Sequence, residues 1–174
     1  MNIKQLFVNK LSWKGIYKFC CMEKAFLQNI LAQNKMTSHY SFDRVSDENA
    51  GSRLNQRAAS IGFIYRHIGE TMNLFTGFFG IKPGVQNTTM GMTDTGQGKD
   101  TAQGRELIKQ GYDILAQIIE TTPEEDWLTM IDTPFFGKVT RVRLFCHILF
   151  HNSHHAGQIS LTLSKGDIVP DAMD

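Results

Sequence analysis

Two histidines four residues apart, His151 and His155, stand in the stretch FCHILFHNSHHAGQISLTL, residues 145–163. The segment reads as a helix. Residues four apart lie on one helix face, about 40° apart in projection, with side chains near enough to share an ion. Such a pair supplies two ligands of a metal site, and a third must come from another segment. His67 is the candidate: it falls in the middle of an apolar stripe with Phe63, Ile64, Leu74 and Phe78. Taken alone, a histidine there reads first as a core residue with one hydrogen bond. Three inward imidazoles change that reading, because each unsatisfied buried polar group costs about 1–3 kcal/mol. One divalent transition metal satisfies all three, zinc or nickel first and then iron, copper or manganese. Three protein ligands also leave a position open for a water of lowered pKa, or for a substrate oxygen or sulfur.

Other residues enter this constellation less well. His147 and His151 are also four apart, but His147 and His154 project to the edge of the stripe, whereas His151 and His155 sit among Ile148 and Ile159. His39, in a polar stretch, reads as solvated. Gln158, one turn beyond His155, is a candidate to orient a ligand or contact substrate. Glu70, on the histidine side of its helix, is a candidate base or substrate contact, with a solvated carboxylate as the plainer reading. No catalytic residue is assigned. The sequence has no H-E-x-x-H, no Glu-x-x-His pair, no C-x-x-C-H and no nucleophile-elbow signature, which argues against zincin, di-iron, covalent-haem and serine-hydrolase chemistry. Haem held by one buried histidine stays open.

The elements that must position these side chains are four helical patterns. Residues 12–34 carry Phe19, Met22, Phe26 and Ile30 at helical spacing, with Ser12 as a possible cap. Residues 35–50 read as a connector, and 52–78 as the second helix. Residues 79–100 hold Gly80, Gly84, Gly91, Gly96 and Gly98 without periodicity and are expected to form a flexible loop, either a lid or disordered. The third helix spans 101–121, capped by Asp100 or Thr101, with Pro123 beyond its end. Residues 126–139 suggest a brief extended or hairpin excursion. The fourth helix spans 140–165 and stops at Gly166. The expected fold is all-α: one domain over 1–174, an up-and-down-type four-helix bundle with one long loop between helices two and three.

Bulk properties bound the function. Lys and Arg number 18 against 17 Asp and Glu, a net charge of +1, so no basic excess points to nucleic acid. Cys20, Cys21 and Cys146 are an odd set with no C-x-x-C, which reads as thiols in a reducing, cytoplasmic setting. No apolar run approaches a membrane span or a signal h-region. An amphipathic membrane-surface helix within the lysine-spaced residues 1–19 is the minor alternative.

The pattern resembles the DinB/YfiT-like superfamily of damage-inducible bacterial proteins. The resemblance rests on Tyr65-Arg66-His67-Ile68-Gly69-Glu70, on His151-Asn152-Ser153-His154-His155-Ala156-Gly157-Gln158, and on the run from Trp127 through Gly137 to Thr140. It spans roughly residues 12–166, and only the two histidine motifs are specific. Phe150 stands where an asparagine is frequent, and Ala156 where an arginine is frequent. Both changes fall around the ligands and not on them. The resemblance implies a helical bundle whose metal is held by His67, His151 and His155, and commonly a homodimer. It also implies a small-molecule substrate, in some relatives with a low-molecular-weight thiol such as bacillithiol or mycothiol. The function expected is metal-dependent thiol transfer or hydrolysis. The alternative is a non-catalytic metal-binding or stress-response module.

Overall fold

The computed structural model describes residues 13–82 and 84–168, with side chains between residues 24 and 167. Four helices dominate: α1 (Trp13–Phe42), α2 (Ile61–Thr76), α3 (Thr101–Thr121) and α4 (Arg141–Lys165). Two small antiparallel sheets join them. β1 (Ser52–Arg53) pairs with β4 (Asp167–Ile168), and β2 (Met130–Thr133) pairs with β3 (Gly137–Thr140). The fold is thus mostly helical, with small strands beyond the expected hairpin. Among the described residues no helix is long and apolar enough to cross a membrane.

Helix α1 runs eight residues past the expected end at 34, through the stretch read as a connector. The core face continues as Leu27, Leu31, Asn34, Ser38, Ser41 and Phe42, all buried. Small polar residues occupy apolar positions there, which hides the period. Asn34 is accommodated because its amide nitrogen donates to the Leu149 carbonyl (2.7 Å) and Ser153 Oγ (2.9 Å), while Tyr112 donates to its Oδ1 (2.9 Å). His39 therefore lies on a helix and not in a loop, where its Nδ1 meets Asp43 at 2.8 Å. Phe26, expected on the core stripe, is exposed. The expected cap Ser12, the stripe residues Phe19 and Met22, the surface-helix reading of 1–19 and the state of Cys20 and Cys21 lie outside the described side chains.

Helix α2 starts later than expected, at Ile61. Ser60 caps it by accepting from the Phe63 amide, and residues 52–60 form an irregular approach. Nearly every residue of α2 is buried, because it packs against both α3 and α4. A helix covered on several sides loses its polar face. Helix α1 also packs against α3 and α4. Neither α1 with α2 nor α3 with α4 is a principal packed pair. The connections 43–60 and 122–140 are correspondingly long, unlike the short turns of a simple up-and-down order.

The segment 79–100, expected to be flexible, is a loop whose described residues are held by side chains. Asp94 accepts from the Ser60 amide (2.8 Å) and pairs with Arg53 (2.9 Å). The Gln97 amide donates to the carbonyls of Thr93 (2.8 Å) and Thr88 (3.2 Å). Gly98 lies flat on the start of α2: a Cβ there would sit 1.9 Å from the Gly62 carbonyl carbon. Asp100 caps α3 by accepting from the Gln103 amide (2.9 Å). At the other end of the molecule Thr140 closes β3 and caps α4 by accepting from the Arg143 amide. Trp127, on the turn before β2, is buried edge-on against Phe145.

Because the Gly98 contact is with backbone, no rotamer change relieves it. Gly98→Ala should cost at least about 1–3 kcal/mol, as overpacking does, and lower Tm by roughly 2–4 °C per kcal/mol. Gly51→Ala, which meets nothing within 4 Å, should leave Tm nearly unchanged. Parallel thermal melts of the two variants check this.

Candidate metal centre

Helix α2 brings His67 to α4 at the level of His151, and α4 stacks His155 one turn beyond it. The Nε2 of His151 lies 3.1 Å from Nε2 of His67 and 3.1 Å from Nε2 of His155. One ligand atom from each of the three falls within 4.8 Å of the others. All three rings are half-buried. The expected trio thus converges, from two separate segments.

Hydrogen bonds behind the rings define their tautomers. His155 Nδ1 faces Gln158 Oε1 at 2.6 Å. An amide oxygen only accepts, so Nδ1 carries the proton and Nε2 is a bare lone pair. His67 Nδ1 faces Thr89 Oγ1 at 3.2 Å. That hydroxyl spends its own proton on Glu70 Oε2 at 2.7 Å, so it accepts from His67, and His67 Nε2 is bare as well. Two lone pairs therefore point at His151 Nε2. A proton there can point squarely at only one of them, and without it three lone pairs face each other. His151 Nδ1 is buried with no hydrogen-bond partner. A cation is what such a donor set fits. Nitrogens sharing one ion at about 2.0–2.1 Å stand roughly 2.9–3.4 Å apart, which brackets the two spacings of 3.1 Å.

Glu70, expected as a solvated carboxylate or a base, is not exposed. It is fully buried, and its carboxylate accepts from Arg66 Nε (2.7 Å), Thr88 N and Oγ1 (2.8 and 2.6 Å), and Thr89 N and Oγ1 (3.0 and 2.7 Å). Burial alone would raise its pKa, but the hydrogen bonds from Thr88, Thr89 and Arg66 outweigh burial and hold it below the usual carboxylate value. Its place is behind His67, acting through Thr89. Sequence reasoning missed Thr88, Thr89 and Arg66. The only available signal was Arg66 and Glu70 four apart on one helix face, since the threonines come from the loop. Gln158 meets His155 through its Oε1 and also lines the adjacent cavity.

His147, one turn before His151, packs on Phe136 with ring centroids 4.5 Å apart and stays outside the trio. His154 is exposed. Phe150, where asparagine is frequent, points to solvent, and Ala156, where arginine is frequent, is buried. A cavity of about 350 Å³ opens against His67 and His155, with Thr89 and Gln158 also on its wall.

The family model for the DinB superfamily matches residues 30–159, most of the chain and all three histidines. The chain belongs to the DinB superfamily. A comparison with curated proteins found no match.

The histidine environment sets a pH dependence. Burial, reinforced by the neighbouring His155 and His67, pushes His151 from the ordinary 6.5 down to about 3. Burial also pushes His155 down to about 4, against the favourable bond to Gln158. With folded values below the unfolded one, the unfolded chain binds more protons as pH falls, so stability declines. For the metal-free protein the urea midpoint should hold above about pH 7, fall from pH 6.5 towards pH 4, and do so less steeply in His151→Phe. Denaturation curves in chelator across that range check the sign.

Proposed function

We propose that the protein is a single-domain, DinB-type four-helix bundle and a metal-dependent enzyme whose divalent ion is held by His67, His151 and His155. The observation that carries this is the meeting of bare Nε2 lone pairs, which no arrangement of protons satisfies. Membership in a family that is often metal-binding supports it. Zinc or nickel suits three imidazoles best, with iron or manganese as alternatives. When bound, the ion supplies Lewis acidity at an open position, lowering the pKa of a water or a thiol.

The chain's own residues do the rest. Glu70, through Thr89, fixes the His67 ring and keeps its proton on Nδ1. Gln158 does the same for His155. Such outer hydrogen bonds orient ligands and raise their basicity. Substrate enters by the cavity that His67 and His155 line. Thiol S-transfer of the bacillithiol type and hydrolysis are the two reactions such a site serves. A second reading, a non-catalytic metal-binding or stress-response module, is favoured by one observation. Among the described residues no carboxylate lines the cavity, and Glu70 is fully engaged, so proton transfer by these residues must rely on imidazole or bound water. The protein is further read as cytoplasmic, from its thiols, and as a homodimer. The exposed Phe26, Met36 and Tyr40 on α1 and Phe150 on α4 support the dimer.

Elemental analysis of the purified protein should find about one transition-metal ion per chain, as three neutral imidazoles bind. His151→Ala should lose it, and metal retained at full stoichiometry would show the ligands to be others. Thr89→Val should weaken metal affinity about 10–100-fold, whereas Thr89→Ser should keep it. Competition against a chelator reads both. Metal-dependent turnover with a panel of low-molecular-weight thiols and electrophiles, or of esters and amides, separates the enzyme from the binding module.

A further inference from the structure

The cavity beside the imidazoles is polar at one end and apolar along the rest. Its shape follows from how α2 and α4 lie. The strand before α2 pairs with the strand after α4, β1 with β4, so the start of α2 stands beside the end of α4. Phe63 and Ile64, on the first turn of α2, therefore share the cavity with Leu161, near the end of α4. Leu54, Ala58 and Ala59, from the approach to α2, complete the apolar wall. His67 and His155 stand at the other end, one turn or more further into the molecule along each helix. The rise of α4 from His155 to Leu161 is about 9 Å. The volume of about 350 Å³ equals roughly a dozen waters at their share of the liquid, which suits a chain of several carbons. Arg57, between Leu54 and Ala58, is exposed and is not one of the lining side chains. An ion on His67 and His155 accepts a neutral or an anionic donor alike. Charge is thus not what this wall reads; apolar length is.

On the reading that the three histidines hold a metal, we propose that the cavity takes a small amphipathic molecule lengthwise. Its head, an oxygen, nitrogen or sulfur atom with a free lone pair, faces the imidazole end. Its tail, an alkyl or arylalkyl chain, lies along Phe63, Ile64 and Leu161 towards Leu54 and Ala58. The direction is fixed by desolvation. Turned round, the head would lose water against an apolar wall that offers it no partner, which is costly for any polar group. The tail would then lie against the imidazoles and forfeit its own burial. In the proposed direction each buried methylene tightens binding about fourfold, until the chain outgrows the cavity. In either reaction class the substrate is then one whose reacting group ends an apolar chain.

1-Propanol and 1-hexanol share a head and differ only in tail length, so they isolate this property. They are titrated into the metal-free protein while the backbone amide NMR signals of Phe63, Ile64 and Leu161 are followed. Hexanol should shift these signals and bind at least about tenfold tighter than propanol. Equal affinities, or shifts confined to other amides, would overturn the proposal. Leu161→Ser, at a half-exposed position (51%), should lower the preference at Phe63 and Ile64 several-fold, and an unchanged ratio counts against it. The direction is read on the Co(II)-loaded protein with acetohydroxamate and hexanohydroxamate. Both should alter the visible absorption of the ion, the longer one at concentrations at least about tenfold lower; equal concentrations would refute a tail lying in the cavity with its head at the histidines. Co(II) uptake keeps the two ideas apart. Hexanol preferred at these amides without Co(II) uptake overturns the metal reading alone. Co(II) uptake without any dependence on tail length overturns the amphipathic cavity alone.

Discussion

A carboxylate with no access to solvent has to be met by donors on every side, and Glu70 is the group on which the site depends. Five donors reach it. One comes from its own helix, Arg66, and four come from Thr88 and Thr89 in the connection 77–100. The charge on Glu70 thus helps fasten that connection to α2, beside Asp94 at Ser60 and Gly98 at Gly62. The same hydrogen bonds leave the Thr89 hydroxyl able only to accept from His67, which fixes where the imidazole proton sits. Loop conformation and ligand chemistry are two consequences of one buried charge.

Helix α4 answers a different demand with the same economy of residues. Leu144, Phe145, Ile148 and Ile159 fill the core, while His151 and His155 turn a flank of the same helix towards α2. The imidazole nitrogens are positioned here by packing on a rigid element, which holds spacing better than a loop does. The close approach of the imidazoles costs proton affinity, as the depressed values at His151 and His155 show. Protons are disfavoured at these nitrogens, and a metal ion competes best where protons do not bind.

Much of the helical content was legible because it obeys local rules. The third helix and its Asp100 cap, the fourth helix from Thr140 to Gly166, and the 130–140 hairpin follow from period, caps and turn residues. The failures have physical causes. Asn34 and Ser38 occupy core positions of α1 as polar residues, so the apolar period broke at 34 while the helix continued to Phe42. Phe26, placed on the core stripe, is exposed, and Leu27 and Leu31 face the core instead. Residues 52–60 look helical by composition, yet Ser60 is a cap and Arg53 is drawn to Asp94, far away in the sequence.

By itself the sequence determined the ligand candidates: a His-x-x-x-His pair on one helix face, and a third histidine inside an apolar stripe. Those are properties of spacing, and spacing is local. Only the tertiary structure decided that the three nitrogens meet, that Glu70 serves from behind and not from within the cavity, and that Thr89 belongs to the site at all. Each of these depends on segments far apart in the chain. A glycine-rich stretch carries no period to announce which of its residues will be held against a distant carboxylate.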